Sequence, residues 1–267
     1  MDRSYIVGGK FYPGTRPAWE TEVRNYLEPR NIQAEQALLA MVPHAGYAYS
    51  GAIAGKTLSA VSVPETILLL GPNHTGLGAS FAVWPSGRWI LPGAYLNVDT
   101  RLAQSIIDST PATADHQAHN QEHSLEVILP FLYVLNPDLR IVPMAVSETK
   151  LDNLLSIGQD LAGVLSKWTT PVLIVVSSDM SHFISAEQAK YQDDLALSAI
   201  LELDPVKFYL TVRSGNISMC GVLPMTIGLT IVNSMGGSQA KIIAYGTSGD
   251  VSGEFSQVVG YAGVVIT

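Results

Sequence analysis

Six histidines, a single cysteine and an aspartate set in a serine-rich turn carry most of the chemistry this sequence can do. His44 lies in PHAGYAYSG and His74 in GPNHTG. Asp179 and His182 share SSDMSHF, and Cys220 lies in SMCGVLP. His116, His119 and His123 fall together in DHQAHNQEHSLE. Neutral imidazole and thiolate suit zinc, iron and copper, and a carboxylate widens the choice. The same groups hold and move protons near neutral pH.

Their positions matter more than their number. Short apolar runs cover Ala37 to Val42, Thr66 to Leu70, Arg140 to Val146, Val172 to Val176, Lys241 to Tyr245 and Gln257 to Thr267. They lack clean alternation, as expected of strands covered on both faces. His44 and His74 follow the first two runs closely, and Asp179 and His182 follow the fourth. In open α/β sheets ligands bind beyond the carboxyl ends of the strands. A lone loop histidine is ordinarily solvated or a cap, but parallel strands bring these three loops side by side. A convergent pocket is therefore expected.

His44, His74 and Cys220 would form a facial N,N,S ligand set with open positions. Cys220 precedes Gly221, the start of the most apolar helix candidate, where the helix dipole favours a thiolate. The residue type is equally consistent with a small buried hydrophobe. Asp179 is suited to orienting an imidazole, binding metal or capping a helix. His123 and His182 are the acid–base candidates. His119, Glu122 and His123 match the three fixed residues of H-x-x-E-H, a zinc-protease pattern. The surrounding ADHQAHNQ reads as loop, so His116 and His119 are expected at the surface. Ser177 and Ser178 lack a G-x-S-x-G elbow, and no Gly-rich phosphate loop is present, so no nucleotide cofactor is expected.

Helical patterns separate the runs: Arg16 to Leu27, Gly51 to Val61, Thr100 to Asp108, Glu122 to Leu135, Leu151 to Lys167, Ala186 to Leu203 and Gly221 to Met235. Asp99 caps the third. Phe81 to Val98 reads as an inserted hairpin. Strand–helix alternation over 267 residues predicts one α/β domain, residues 1–267, with a mainly parallel central sheet and helices on both faces. Apolar residues make up 47% and charged residues 14%, which fits buried strands. The net charge of −8 argues against nucleic-acid partners. No run is long enough to span a membrane, and MDRSYIVGGK carries no secretory pattern. One cysteine forbids an internal disulfide and suits a reducing, cytoplasmic setting.

PHAGYAYSG, LGPNHTG, EHSLEVILPFL, SSDMSHF, MCG and YGTSGDVSG, after the opening GGKFYPGTR, resemble the Memo family in order along nearly the whole chain. Its prokaryotic members are called AmmeMemoRadiSam system protein B. The resemblance implies a fold similar to the class III extradiol dioxygenases. It implies metal ligands at His44, His74 and Cys220, with Asp179, His182 and His123 lining the same pocket. The dioxygenases hold iron with two histidines and a glutamate; cysteine in the third place is softer and favours copper or zinc more than a carboxylate does. The family name also implies a pathway shared with a radical SAM protein and an AMMECR-type protein. The leading expectation is a redox enzyme holding iron or copper and acting on a small molecule. The alternatives are a zinc-dependent hydrolase or lyase, and a non-enzymatic protein binding a peptide or small ligand in the cleft, with Tyr47, Tyr49 and Trp89 at its rim.

Overall fold

The computed structural model describes residues 1–28 and 34–267. Eleven strands occur among the described residues: β1 (Leu39–Val42), β2 (Thr66–Pro72), β3 (Phe81–Val83), β4 (Arg88–Leu91), β5 (Ala94–Val98), β6 (Thr113–Ala114), β7 (Arg140–Val146), β8 (Val172–Ser177), β9 (His182–Ile184), β10 (Ala240–Thr247) and β11 (Val258–Ile266). The helices are α1 (Arg16–Tyr26), α2 (Tyr47–Ser59), α3 (Thr100–Ser109), α4 (Gln117–Asn120), α5 (Leu129–Leu135), α6 (Leu151–Leu165), α7 (Ala186–Leu201), α8 (Pro205–Ser214), α9 (Val222–Ser234) and α10 (Gly249–Ser252).

All six strand runs read from the sequence are strands. The sheet runs β10-β11-β1-β8-β2-β7-β3-β6. Its centre, β1-β8-β2-β7, is parallel. The flanks turn antiparallel, β11 against β1 and β10, and β3 against β7. β4 and β5 form the inserted hairpin.

Every residue of β1 and β2 is buried, so both faces of the sheet are covered. The two covers are identifiable. A Cβ on Gly228 of α9 would meet Leu39, whose partner in register is Ile266. A Cβ on Gly263, three residues from Ile266 and so on the opposite face, would meet Thr57 of α2. α9 therefore lies on one face and α2 on the other. α6 packs behind α9.

Three expectations change. The helix expected over Glu122 to Leu135 begins later, as a 3-10 turn at Glu126–Ile128 followed by α5. Glu122 uses its own carboxylate to accept the Ser124 N–H, and Pro130 has no N–H to continue a helix. The stretch after α7 holds a further helix, α8, started by Asp204, whose side chain accepts from the N–H groups of Val206 and Lys207. Asp179 caps no helix, because β9 intervenes before α7. Asp99 caps α3 as expected, accepting from Leu102 N–H.

Gly263 tests the close approach of α2 to the sheet. A Cβ there would lie 1.7 Å from Thr57 Oγ1. Gly263→Ala should destabilise the fold by about 1–3 kcal/mol, the range for overpacking a core. Urea unfolding midpoints of the two proteins measure it.

Candidate metal centre

The carboxyl ends of β1, β2 and β8 deliver the site. His44 follows β1 and is buried. Its Nδ1 lies 2.6 Å from Ser177 Oγ, at the end of β8. That hydroxyl gives its own hydrogen to Ser124 O at 2.7 Å. It must therefore accept from His44 Nδ1–H, which leaves Nε2 with a bare lone pair.

His74 follows β2. Its backbone N–H donates to Glu122 Oε2 at 2.5 Å, and its Nδ1 lies 2.9 Å from Glu122 Oε1. Ser124 N–H also donates to Oε1 at 2.9 Å. Glu122 is wholly buried. A carboxylate only accepts, so His74 Nδ1 carries a proton, and in the neutral ring Nε2 is the nitrogen with the lone pair. His123 stacks on His74, with ring centroids 5.0 Å apart, and its Nδ1 lies 3.5 Å from Glu122 Oε1. One ring nitrogen from each of His44, His74 and His123 falls within 4.8 Å of the others.

Cys220 and Asp179 close one side. Cys220 Sγ lies 3.5 Å from His44 Nε2 and accepts the Asp179 N–H at 3.1 Å. The Asp179 carboxylate accepts the His44 backbone N–H at 2.8 Å. It thus braces the loop that carries His44. A Cβ on Gly221 would collide with Ser178, so only glycine lets the Cys220 turn approach β8 this closely. His182, in β9, donates Nδ1–H to Ser218 O at 2.8 Å, which leaves its Nε2 free as well. A proton gained by this ring would oppose charge on His44 and favour the Asp179 carboxylate.

Electrostatics keeps most of these groups neutral. Burial pushes the His44 imidazolium well down, and His123 and His74 add to that. Burial lowers His123 too, against the pull of Glu122. Burial also opposes charge on His74, but the hydrogen bond to Glu122 and its charge outweigh it and raise His74. Burial works against the Glu122 carboxylate, yet the hydrogen bond and charge of His74 and the Ser124 N–H hold it down at about 2. Burial raises Asp179. Burial, then the Asp179 charge, pushes the Cys220 thiol up, so the metal-free side chain is a thiol. The helix dipole expected to favour thiolate does not prevail.

Every predicted site residue reaches this one region. His123, expected as an acid–base group, stands in the imidazole triangle, and Cys220 touches its edge. His116 and His119 leave the site, but His119 is not at the surface. It is fully buried, lies edge-on to Trp84 and Trp89, and donates Nε2–H to Ala82 O at 3.0 Å. The H-x-x-E-H reading fails because His119 and His123 fall in different environments. Tyr47 and Trp89 are buried and form no rim. Glu122 was overlooked as a partner of His74. The hint was two glutamates, Glu122 and Glu126, beside an apolar run.

Residues 3–265 match the family model described as Memo-like protein. The chain belongs to the Memo-like family. MEMO1 family proteins of Aquifex aeolicus and Methanopyrus kandleri are each 36% identical to it, the first over 98% of both chains and the second over 99%. One from Methanobrevibacter smithii is 39% identical over 83% of this chain and 80% of its own. A solved structure of an uncharacterized Escherichia coli K12 protein shares the fold, with a TM-score of 0.57 at 15% identity, covering 85% of this chain and 99% of that one.

The lowered histidines of this Memo-like protein predict a loss of stability toward acid pH. His119 is held at about 4 by burial, against 6.5 when unfolded. A neutral buried histidine contributes stability above pH 6.5, and loses it as pH falls toward the folded value. Between pH 6.5 and 4, unfolding should take up about one proton less in His119→Gln, reducing the slope by about 1.4 kcal/mol per pH unit. Urea unfolding of metal-free protein across that range measures the difference.

Proposed function

We propose that this protein holds a transition metal ion, iron or copper, at His44 and His74, with His123 and Cys220 completing the set, and uses it in redox chemistry on a small-molecule substrate. The observation that carries the reading is the triangle of imidazoles, in which the His44 and His74 tautomers are fixed so that Nε2 is free. Metal-ligating histidines characteristically donate the other ring N–H to a carboxylate, hydroxyl or carbonyl, as Ser177 and Glu122 accept here. The donor set fits such an ion: neutral imidazole and a thiol that can lose its proton. Bound there, iron or copper would supply one-electron exchange and open positions for a ligand.

The chain's own residues supply the rest. Ser177 and Glu122 hold two imidazoles in the ligating tautomer. Asp179 fixes the His44 backbone and, through its N–H, the Cys220 sulfur. His182 keeps Nε2 free near the rim, where it can accept or return a substrate proton. No helix among the described residues is long and apolar enough to cross a membrane. A cytoplasmic setting belongs to the reading, since it keeps the lone thiol reduced.

A zinc-dependent hydrolase or lyase is the second reading, favoured by the three imidazoles, a set that also suits catalytic zinc. Metal analysis and EPR of untagged protein separate the two: a redox-active ion supports the first, zinc alone the second. His44→Ala and His74→Ala should abolish stoichiometric metal. Full retention in both overturns the site. Glu122→Gln should weaken metal binding by roughly 10–100-fold, the usual cost of losing a partner of a ligating histidine. Competition with a chelator of known affinity reads that loss.

A further inference from the structure

Three residues other than glycine have positive φ among the described residues: Phe183 at 59°, Leu203 at 57° and Asn216 at 49°. Two have a reason in the fold. Leu203 lies two residues beyond the end of α7, and Asn216 two beyond the end of α8. That is where helices commonly end in a left-handed residue. Phe183 has no such reason. It sits in the middle of β9, and an aromatic side chain disfavours this conformation.

The surroundings hold Phe183 there from both sides. Before it, Ser181 N–H and Oγ–H donate to the buried Asp193 carboxylate, and Tyr245 supplies a further hydroxyl to the same group. His182 N–H donates to Ser218 Oγ, and its ring to Ser218 O. His182 pairs with Val259 and Ile184 with Val258, across a register shift. The strain buries nothing: Phe183 is 73% exposed, with its ring 5.8 Å from that of His182. Phe255, 51% exposed, borders the same edge, because its carbonyl accepts the Ala186 N–H. Glycine or asparagine would make this turn at lower cost. An exposed aromatic ring held under strain beside a histidine with a free nitrogen gains nothing for folding and is well placed for recognition.

We infer that Phe183 is a specificity-determining residue, a face on which a small ligand carrying a planar conjugated ring stacks as it enters the centre beside His182. This rests on the proposed site being a ligand-binding centre. It adds the class of ligand and the residue that selects it. Flat rings gain from offset stacking in a way that puckered rings of the same size do not.

The test compares benzoate with cyclohexanecarboxylate, which differ in ring planarity and share the carboxylate. Equilibrium dialysis against the full chain as isolated gives both affinities for wild type, Phe183→Ala and Phe183→Gly. Wild type should prefer benzoate by roughly 2–10-fold, and both variants should lose that preference. Phe183→Gly should in addition raise the thermal midpoint, because it removes the backbone strain. A preference that survives in Phe183→Ala, or no saturable benzoate binding by wild type, overturns the inference. Metal content of the same samples reports separately on the metal reading, since Phe183 holds no ligand atom.

Discussion

Burying the Glu122 carboxylate beside His74 is the constraint from which the rest of the site follows. An unpaired buried carboxylate costs several kcal/mol, so it must be surrounded by donors. Three are supplied by His74 and Ser124, two backbone N–H groups and ring Nδ1, all within 2.9 Å of the one carboxylate. The main chain that carries Glu122 is fixed by Arg3, whose guanidinium donates to the carbonyls of His119 and Glu122 and pairs with Glu126 at 2.8 Å. Glu126 in turn accepts from Ile6 N–H, Val7 N–H and the Tyr12 hydroxyl. The buried charges are thus satisfied in one network. Its by-product is a fixed tautomer at His74 and a fixed place for His123.

The other half of the site is held by the sheet rather than by charge. β1 and β8 are adjacent and parallel, with Val42 opposite Ser177. The residues just beyond them, His44 and Asp179, are therefore neighbours before any side chain acts. Asp179 then receives the His44 N–H, and Ser177 receives His44 Nδ1. Ser177 and Glu122 are unlike in chemistry, yet both do the same thing, taking the proton on Nδ1 so that Nε2 turns to the centre. The two halves meet at Ser124. Its carbonyl accepts from Ser177, and its N–H donates to Glu122.

The strands were legible because continuous runs such as TILLL and VLIVV are what two-sided burial selects. The location of the site followed from strand-end loops alone. What the sequence did not disclose was contact between residues far apart in the chain. Arg3 and Glu126 look like ordinary surface charges until the structure pairs them in the interior. His119 looked solvated because its neighbours are polar, yet Trp84 and Trp89 from the hairpin region cover it. Phe183 read as one more residue after a strand, since a positive φ in a non-glycine residue leaves no mark in composition. The helix boundary at Glu126 was missed for a related reason: a side chain, not a helical carbonyl, takes the Ser124 N–H.

The same accounting separates the imidazoles from the thiol. His44 and His123 are kept neutral by burial, and His44 has its lone pair already aimed, so an ion would meet nitrogen ligands that need no proton removed. Cys220 is the opposite case. Burial and the Asp179 charge favour its thiol, and a thiol must lose its proton to become a strong ligand. The ion's own charge is what can reverse that preference. A thiolate would therefore depend on the metal, whereas the neutral rings of His44 and His123 would not. If a metal ion were held here, the imidazoles would supply its nitrogen ligands, and Cys220, 3.5 Å from His44 Nε2, would be within reach as a sulfur ligand. In such a site the sulfur would tune a centre that the nitrogens define.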